Sequence, residues 1–450
     1  MGAFRVLMVA GLAGFAVLAA GCAAFLPDRI HRTLSADTAY LPCPAAPGPR
    51  ADLFGVALSG GGSRAAVYAA AGLEALWQHG LLDRITHLSS VSGGSMAASY
   101  FVANRPACDE EASEAAKQEC WRAFFAEFKQ AMRYDYSLAT GVRQLRFPNR
   151  WTSHTRRASS FQEVLDRKFL DGKTFGDLYA ADSGLPVLLV NAASYDEARR
   201  FLFSNVGVGG DAGPLRSASF ARPGCRRAVP RDLPLSLAVT ASAAFPGLFG
   251  PVALEVPSSC EGAQPEWWHL GDGGMIDNSG LDTLEEVALE LADAHPEGES
   301  TAVLVSFDAS RVLRSAEMKQ LSDYGLLTRD PSRIVIVTKA RGEAYSAFVW
   351  EQRRQALAAR GIRAEKIPVR YMAAELSDWP ASCKGGQAAP ALVEEVRDRL
   401  EQIPTKLTID DCSADLLERA AHQVLRAALA GEAGERLRAL GIPFRTPPAD

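Results

Sequence analysis

Seven residues, Ser89-Ser90-Val91-Ser92-Gly93-Gly94-Ser95, constrain the fold of this chain more than any other stretch. The apolar run before them, residues 85–91, predicts a short buried strand, and residues 96–102 predict a helix. Gly93 and Gly94 let the backbone turn tightly between the two and let another group approach closely. Ser92 is thereby held out of the sheet, with its Oγ near the positive end of the following helix. A second break of the same kind lies upstream. Residues 52–59 predict a compact apolar strand that runs directly into Gly60-Gly61-Gly62-Ser63-Arg64. Val67, Ala71, Leu73, Leu76 and Trp77 then recur at helical spacing, with Gly80 as a stop signal.

The Ser92 turn resembles the nucleophile elbow of serine acyl hydrolases, with Ser90 standing where the first glycine of G-x-S-x-G is usual. Strand, triple glycine and helix make an anion-binding geometry. Successive amides at a helix N-terminus can point at the oxygen that becomes negative in a tetrahedral acyl intermediate, each such donor contributing about 3 kcal/mol. A dinucleotide fingerprint fits the same glycines as Gly60-x-Gly62-x-x-Ala65. It requires an acid closing the second strand, where this chain has Val91-Ser92 and offers only Asp83 earlier. A P-loop is excluded, since no Gly-Lys-Ser/Thr follows.

Residues 108–182 are polar and aromatic. Trp121, Phe124, Phe125, Phe128 and Met132 give residues 120–132 a helical apolar face. Arg143, Arg146, Arg150, Arg156 and Arg157, interleaved with Phe147 and Trp151, read as a solvated loop more than as a lipid-headgroup contact, in a cap beside the site. Residues 186–192 and 200–203 predict strands. Residues 235–249 predict a small-residue helix stopped by Pro246-Gly247. The run from Trp267 ends in Gly271-Asp272-Gly273-Gly274, an acid in a tight turn at a strand end.

With these blocks in place the sequence resembles the patatin-like phospholipase family over about residues 51–310. The match is carried in order by Ser59-Gly60-Gly61-Gly62-Ser63-Arg64, the Ser92 turn, Ala241-Ser242-Ala243-Ala244-Phe245-Pro246 and Asp272-Gly273-Gly274. The resemblance implies an α/β fold, a three-layer α/β/α lysophospholipase-like core. It implies a dyad in which Ser92 attacks an ester carbonyl and Asp272 takes its proton. The amides of Gly60, Gly61 and Gly62 would hold the oxyanion, with Gly93, Gly94 and Arg64 in support. Arg64 would steady the loop, meet a substrate phosphate or lie at the surface. The substrate would be a membrane phospholipid or lysophospholipid, with no cofactor. An unperturbed Asp titrates near ~4, so burial must raise it or the oxyanion donors must carry more of the work. His269, three residues before Asp272 on a strand, points to the opposite face and reads as structural. Asp308 and Asp277 are rival acids.

The N-terminus differs in kind. Arg5 precedes an apolar run from Val6 to Ala20, then Gly21-Cys22 and a proline-rich stretch. Leu18-Ala19-Ala20-Gly21-Cys22 resembles a bacterial lipobox, with Ala19 where Leu is more usual. The expectation is a signal peptide over 1–22, lipidation of Cys22 and a tether over 23–50. Ala23 after the cysteine implies the outer membrane, so the body would sit on its periplasmic face within the cell envelope. An uncleaved anchor is the competing reading, because residues 6–26 are 21 largely apolar residues and about 20 suffice to span a bilayer.

Eight cysteines fit export. Without Cys22 an odd number remains, and proximity pairs Cys108 with Cys120, Cys225 with Cys260 and Cys383 with Cys412. Their spacing resembles no zinc site, and no metal is expected. A net charge of −5 with dispersed Lys and Arg argues against nucleic acid. Beyond residue 310, residues 334–337 predict a strand and 343–359, 389–403 and 416–429 predict helices. This part, 311–450, reads as a largely helical extension that either completes the core or stands as an appendage. The oligomeric state stays open, as does a choice among phospholipase, esterase, thioesterase, acyltransferase and a non-catalytic lipid-binding envelope lipoprotein.

Overall fold

The computed structural model describes residues 32–33, 52–108, 111–147, 150, 153, 156–179, 184–204, 217–220, 229–246, 248–256, 266–294, 300–310 and 330–447. The segment 1–22 with Cys22, and the pair Cys225 and Cys260, lie outside the described residues. Nine strands form one sheet: β1 (Arg32–Thr33), β2 (Leu53–Leu58), β3 (His87–Val91), β4 (Val187–Ser194), β5 (Arg199–Ser204), β6 (Val252–Val256), β7 (Glu266–Asp272), β8 (Ser300–Asp308) and β9 (Ile362–Arg370). The order is β1-β6-β7-β4-β3-β2-β8-β9, with β5 also paired to β4. Neighbours from β4 through β9 run parallel, and β7 and β5 pair antiparallel with β4.

The principal helices are α1 (Ser63–Gln78), α2 (Gly93–Asn104), α3 (Glu114–Met132), α4 (Tyr136–Leu145), α5 (Arg157–Leu165), α6 (Leu235–Ser242), α7 (Leu281–Ala294), α8 (Asp330–Ala358), α9 (Val393–Gln402) and α10 (Asp411–Ala430). Strand periodicity sorts them into two outer layers. Phe54, Val56 and Leu58 face a core shared with α1, α2, α3, α5, α6 and α10. Leu53 and Ala57 face a second core built with α7 and the end of α8. The result is a three-layer α/β/α body. Helix α1 is buried from Ser63 through Leu76, as a helix must be when packed on both sides. Gly72 lets it approach β8, since a Cβ there would sit 2.4 Å from the Phe307 ring.

The C-terminal part completes this body. Strand β9 extends the sheet beside β8, and α10 packs on α1 within the larger core. Residues 334–337 are helical, inside α8, where a strand is expected from the sequence. A four-residue apolar run fits either state, and Pro331 in the first turn is preset for a helix start. Arg32 and Thr33, inside the stretch read as a tether, pair with Leu254 and Glu255 of β6. Disulfides join Cys108 to Cys120 and Cys383 to Cys412, as proximity pairs them. No helix among the described residues is long and apolar enough to cross a membrane.

Candidate active site

Strand β4 acts as the ruler of the site. Val91 at the end of β3 pairs with Asn191, so Ser92 emerges level with Ala192. Asp272 at the end of β7 pairs with Ala192 from the other side. Two residues 180 apart in sequence are thereby set across one strand, and Ser92 Oγ donates to Asp272 Oδ2 at 3.0 Å. The Gly274 amide donates to Asp272 Oδ1 at 2.8 Å, which fixes the carboxylate's orientation. Asp272 is buried and Ser92 half-buried.

Ser92 adopts φ 50° and ψ −116°, a conformation that costs a non-glycine residue of order 1–3 kcal/mol and persists only where neighbours enforce it. Those neighbours are identifiable. The Ser92 amide donates to Ser242 Oγ at 2.8 Å, and Ser242 Oγ donates to the Asn191 carbonyl at 2.6 Å. Ser95 Oγ lies 3.0 Å from Ser242 Oγ and donates to Ser90 Oγ at 3.1 Å. Ser90, which replaces the usual glycine, thus joins a buried hydroxyl chain beneath the turn. Gly93 is required by proximity: a Cβ there would stand 2.0 Å from the Gly62 carbonyl oxygen.

The three glycines of the first loop have different fates. The Gly60 amide donates to the Asn278 carbonyl at 2.9 Å, so Gly60 is committed to the fold and not to an oxyanion. Gly61 and Gly62 line the cavity with Ser92, and among the described residues their amides donate to no backbone carbonyl. Gly62, at φ 63°, makes the turn into α1. Ser63 then donates its amide to the Lys406 carbonyl at 2.7 Å. Arg64 is 1% exposed and is neither a surface residue nor a headgroup contact. Its Nε donates to the Ala309 carbonyl at 2.9 Å and its Nη1 to the Ile403 carbonyl at 2.8 Å.

The remaining acids and His269 are engaged elsewhere. Asp308 pairs with Arg370 at 3.3 Å. Asp277 accepts from the amides of Ser279, Gly280 and Asp282 at the start of α7, and burial pushes its carboxyl up. His269 Nδ1 lies 3.0 Å from Asp196. Sequence reasoning missed three participants. Asn278 donates to the Gly60 carbonyl at 3.3 Å, Ser242 holds the Ser92 amide, and the 405–407 segment forms one wall. Only Ser242 carried a signal, in its block of small residues.

Above Ser92 lies a cavity of about 240 Å³. Gly61, Gly62 and Asp272 form its polar floor, and Phe245, Leu248, Phe249, Met275 and Leu407 supply apolar walls. A hydroxyl aimed at a carboxylate, two uncommitted amides and an apolar slot suit acyl transfer from a substrate with a hydrocarbon tail.

A family model for patatin-like phospholipase matches residues 56–284, just over half of the chain. No curated protein sequence matches. Among solved structures, human GIVD cytosolic phospholipase A2 is 12% identical, with 86% of this chain and 62% of that chain covered and a TM-score of 0.47. The same human enzyme in complex with methyl gamma-linolenyl fluorophosphonate inhibitor and terbium chloride is 13% identical, with 86% and 59% covered and a TM-score of 0.45. VipD from Legionella pneumophila is 13% identical over 91% of this chain and 73% of that chain, with a TM-score of 0.30. The chain spans about three fifths of the length of the human phospholipase chains it matches. From β2 into α7, the matched segment contains both strand-to-helix turns and the acid at the end of β7, and the chain belongs to the patatin-like phospholipase family.

Proposed function

We propose that the protein is a serine acyl hydrolase that cleaves ester bonds of membrane lipids, phospholipase A or lysophospholipase in type. The observation that carries this reading is the 3.0 Å hydrogen bond from Ser92 Oγ to Asp272 Oδ2 beside two uncommitted glycine amides. In this scheme Asp272 accepts the Ser92 proton as Oγ bonds to the ester carbonyl carbon. The amides of Gly61 and Gly62 receive the developing oxyanion. Collapse of the intermediate expels the lipid alkoxide, which takes the proton back from Asp272. Water, deprotonated by Asp272, then attacks the acyl-serine; the acyl–Oγ bond breaks, Asp272 returns the proton to Ser92 Oγ and the fatty acid leaves.

Fluorophosphonate labelling tests the reading. The wild-type chain is expected to label and to release fatty acid from phospholipid vesicles, and Ser92→Ala to do neither. A folded wild type that neither labels nor hydrolyses, even with detergent or lipid present, leaves the lipid-binding alternative in its place.

Ser242 gives a finer test. Ser242→Ala leaves the Ser92 amide without its acceptor, a loss of about 1–3 kcal/mol for a buried donor. If the strain at Ser92 matters mainly in the transition state, kcat falls by about tenfold to a hundredfold with KM nearly unchanged. Ser242→Thr, which keeps the hydroxyl, is expected to recover most of the rate. Equal loss in both variants would assign Ser242 to packing alone.

We place the protein at the cell envelope through Cys22. The lipobox-like segment supports this, and two disulfides fit an oxidising compartment. Metabolic labelling with a fatty-acid analogue is expected in the wild type and absent in Cys22→Ser. Label retained in Cys22→Ser argues for another anchor.

A further inference from the structure

We propose that helix α4 is the surface by which the folded body docks on an anionic lipid bilayer, bringing the Ser92 cavity against the membrane; this rests on the lipid hydrolase reading above. The sequence placed Arg143 and Arg146 in a solvated loop. The structure puts Arg143 in the last turn of α4 and Arg146 at its C-terminal cap. Leu138, Val142 and Leu145 recur at i, i+4 and i+7 and so form one stripe. They are 65%, 53% and 65% exposed, while Tyr136 and Thr140 on the other face are buried. A helix that anchors itself by one face and turns three large aliphatic side chains outward presents an apolar surface that water disfavours.

The charges beside the stripe select the occupant. Arg146, Arg167 and Lys168 are exposed along a groove of about 400 Å³ that also contains Leu138 and Val142. Of the neighbouring acids, Asp135 caps α4 by accepting the Leu138 amide, and Glu163 is bound by Arg143 and Arg150. Lys168 stands 4.2 Å over the Tyr134 ring, at the near end of the helix. Outward aliphatic residues flanked by cations match a headgroup and acyl boundary, which gives way around side chains and attracts positive charge. A protein partner would be expected to meet a buried aromatic or arginine anchor at the centre of the patch. This stripe is purely aliphatic.

The helix is continuous with the site. Ser137, in its first turn, donates its amide to the Leu407 carbonyl at 3.0 Å, and Leu407 lines the cavity above Ser92. Phe161 of α5, against which α4 packs, stacks on Phe249 of the same cavity with ring centroids 5.1 Å apart. Leu248, also of the cavity wall, is 57% exposed. Docking through α4 therefore sets the cavity mouth at the lipid surface, independently of any anchor at the N-terminus.

The test uses the full chain in two variants. One is Leu138→Asp/Val142→Asp/Leu145→Asp, and the other is Arg146→Glu/Arg167→Glu/Lys168→Glu. Fatty-acid release from phosphatidylcholine vesicles containing phosphatidylglycerol is expected to fall about tenfold or more in each, the second by less in high salt. Turnover of a soluble short-chain ester and fluorophosphonate labelling of Ser92 are expected to stay within about twofold of wild type. Tryptophan introduced as Val142→Trp is expected to be quenched by bromolipid in excess of the wild-type signal. Unchanged vesicle hydrolysis by the folded variants, or absent quenching, overturns the docking proposal while leaving the hydrolase reading intact. Parallel loss on the soluble ester also overturns it, by placing α4 in the site's own architecture. A dimer that dissociates in the aspartate variant without a change on vesicles overturns it in favour of a second copy of the chain. If the wild type fails to label at all, the hydrolase reading falls, and bromolipid quenching in the Val142→Trp variant still decides the docking.

Discussion

Asp272→Asn is expected to lower kcat on a lipid ester by about 10²–10⁴-fold, the range a positioned general base supplies. The substitution conserves volume and keeps an oxygen for the Gly274 amide, which bonds Asp272 Oδ1 at 2.8 Å. What disappears is the basic oxygen 3.0 Å from Ser92 Oγ. With its oxygen held by the Gly274 amide, the asparagine turns its NH2 toward Ser92, where it donates to the serine and cannot take its proton. No neighbour replaces it. His269 is held by Asp196, Asp308 pairs with Arg370, and Asp277 closes the first turn of α7. Fluorophosphonate labelling of Ser92 is expected to slow in parallel, while the thermal midpoint moves little. A second readout checks that the charge itself has gone. Burial, and then the Asp272 carboxylate, hold the Tyr195 phenol above its ordinary range. Removing the negative charge relieves the second of these, so Tyr195 is expected to titrate at lower pH in Asp272→Asn. Activity above about a tenth of wild type in a variant showing that shift would falsify the assignment of Asp272 as the base.

The local chemistry of the site was legible because it is written in short segments. An apolar run, two glycines and a helix mark the Ser92 turn, and an acid between glycines at a strand end marks Asp272. The pairing of the two was legible only through family resemblance, because the register that joins them belongs to β4, about a hundred residues from Ser92. Contacts of still longer range left no pattern. Gly60 reads as an oxyanion donor until Asn278 takes its amide. The 405–407 wall carries no motif, since its ties to Ser63 and Ser137 run through the Lys406 and Leu407 carbonyls, which any residue supplies. Residues 334–337 misled because β-branched character in so short a run fits strand and helix alike. Of the three roles open to Arg64, the structure bears out the one that steadies the loop, and the sequence did not single it out, for another reason. Charged side chains are rarely buried without partners, and its carbonyl acceptors lie 245 and 339 residues away.

Arg64→Met is expected to destabilise the protein by about 3–5 kcal/mol, because two buried carbonyls, at Ala309 and Ile403, lose charge-assisted donors that methionine cannot replace. The two acceptors lie on different parts of the fold. Ala309 follows β8, and Ile403 follows α9 on the way to the segment that walls the cavity. Arg64 therefore ties the first turn of α1 to the sheet and to residues 403–407 at once. The Ser63 amide bond to Lys406 depends on the same register. Loss of the tie is expected to displace Gly61 and Gly62, and a shift of about 1 Å in oxyanion donors costs of order a hundredfold in rate. The urea midpoint should fall together with kcat, and limited proteolysis should open the chain near 403–407 before it opens the sheet. Arg64→Lys retains the charge, but an ammonium does not reproduce the guanidinium fork. It is expected to recover part of the stability and little of the rate. If Arg64→Met instead unfolds at the wild-type urea midpoint and turns over normally, residues 403–407 hold the glycine loop without it, and the Ser63 to Lys406 bond becomes the tie that matters.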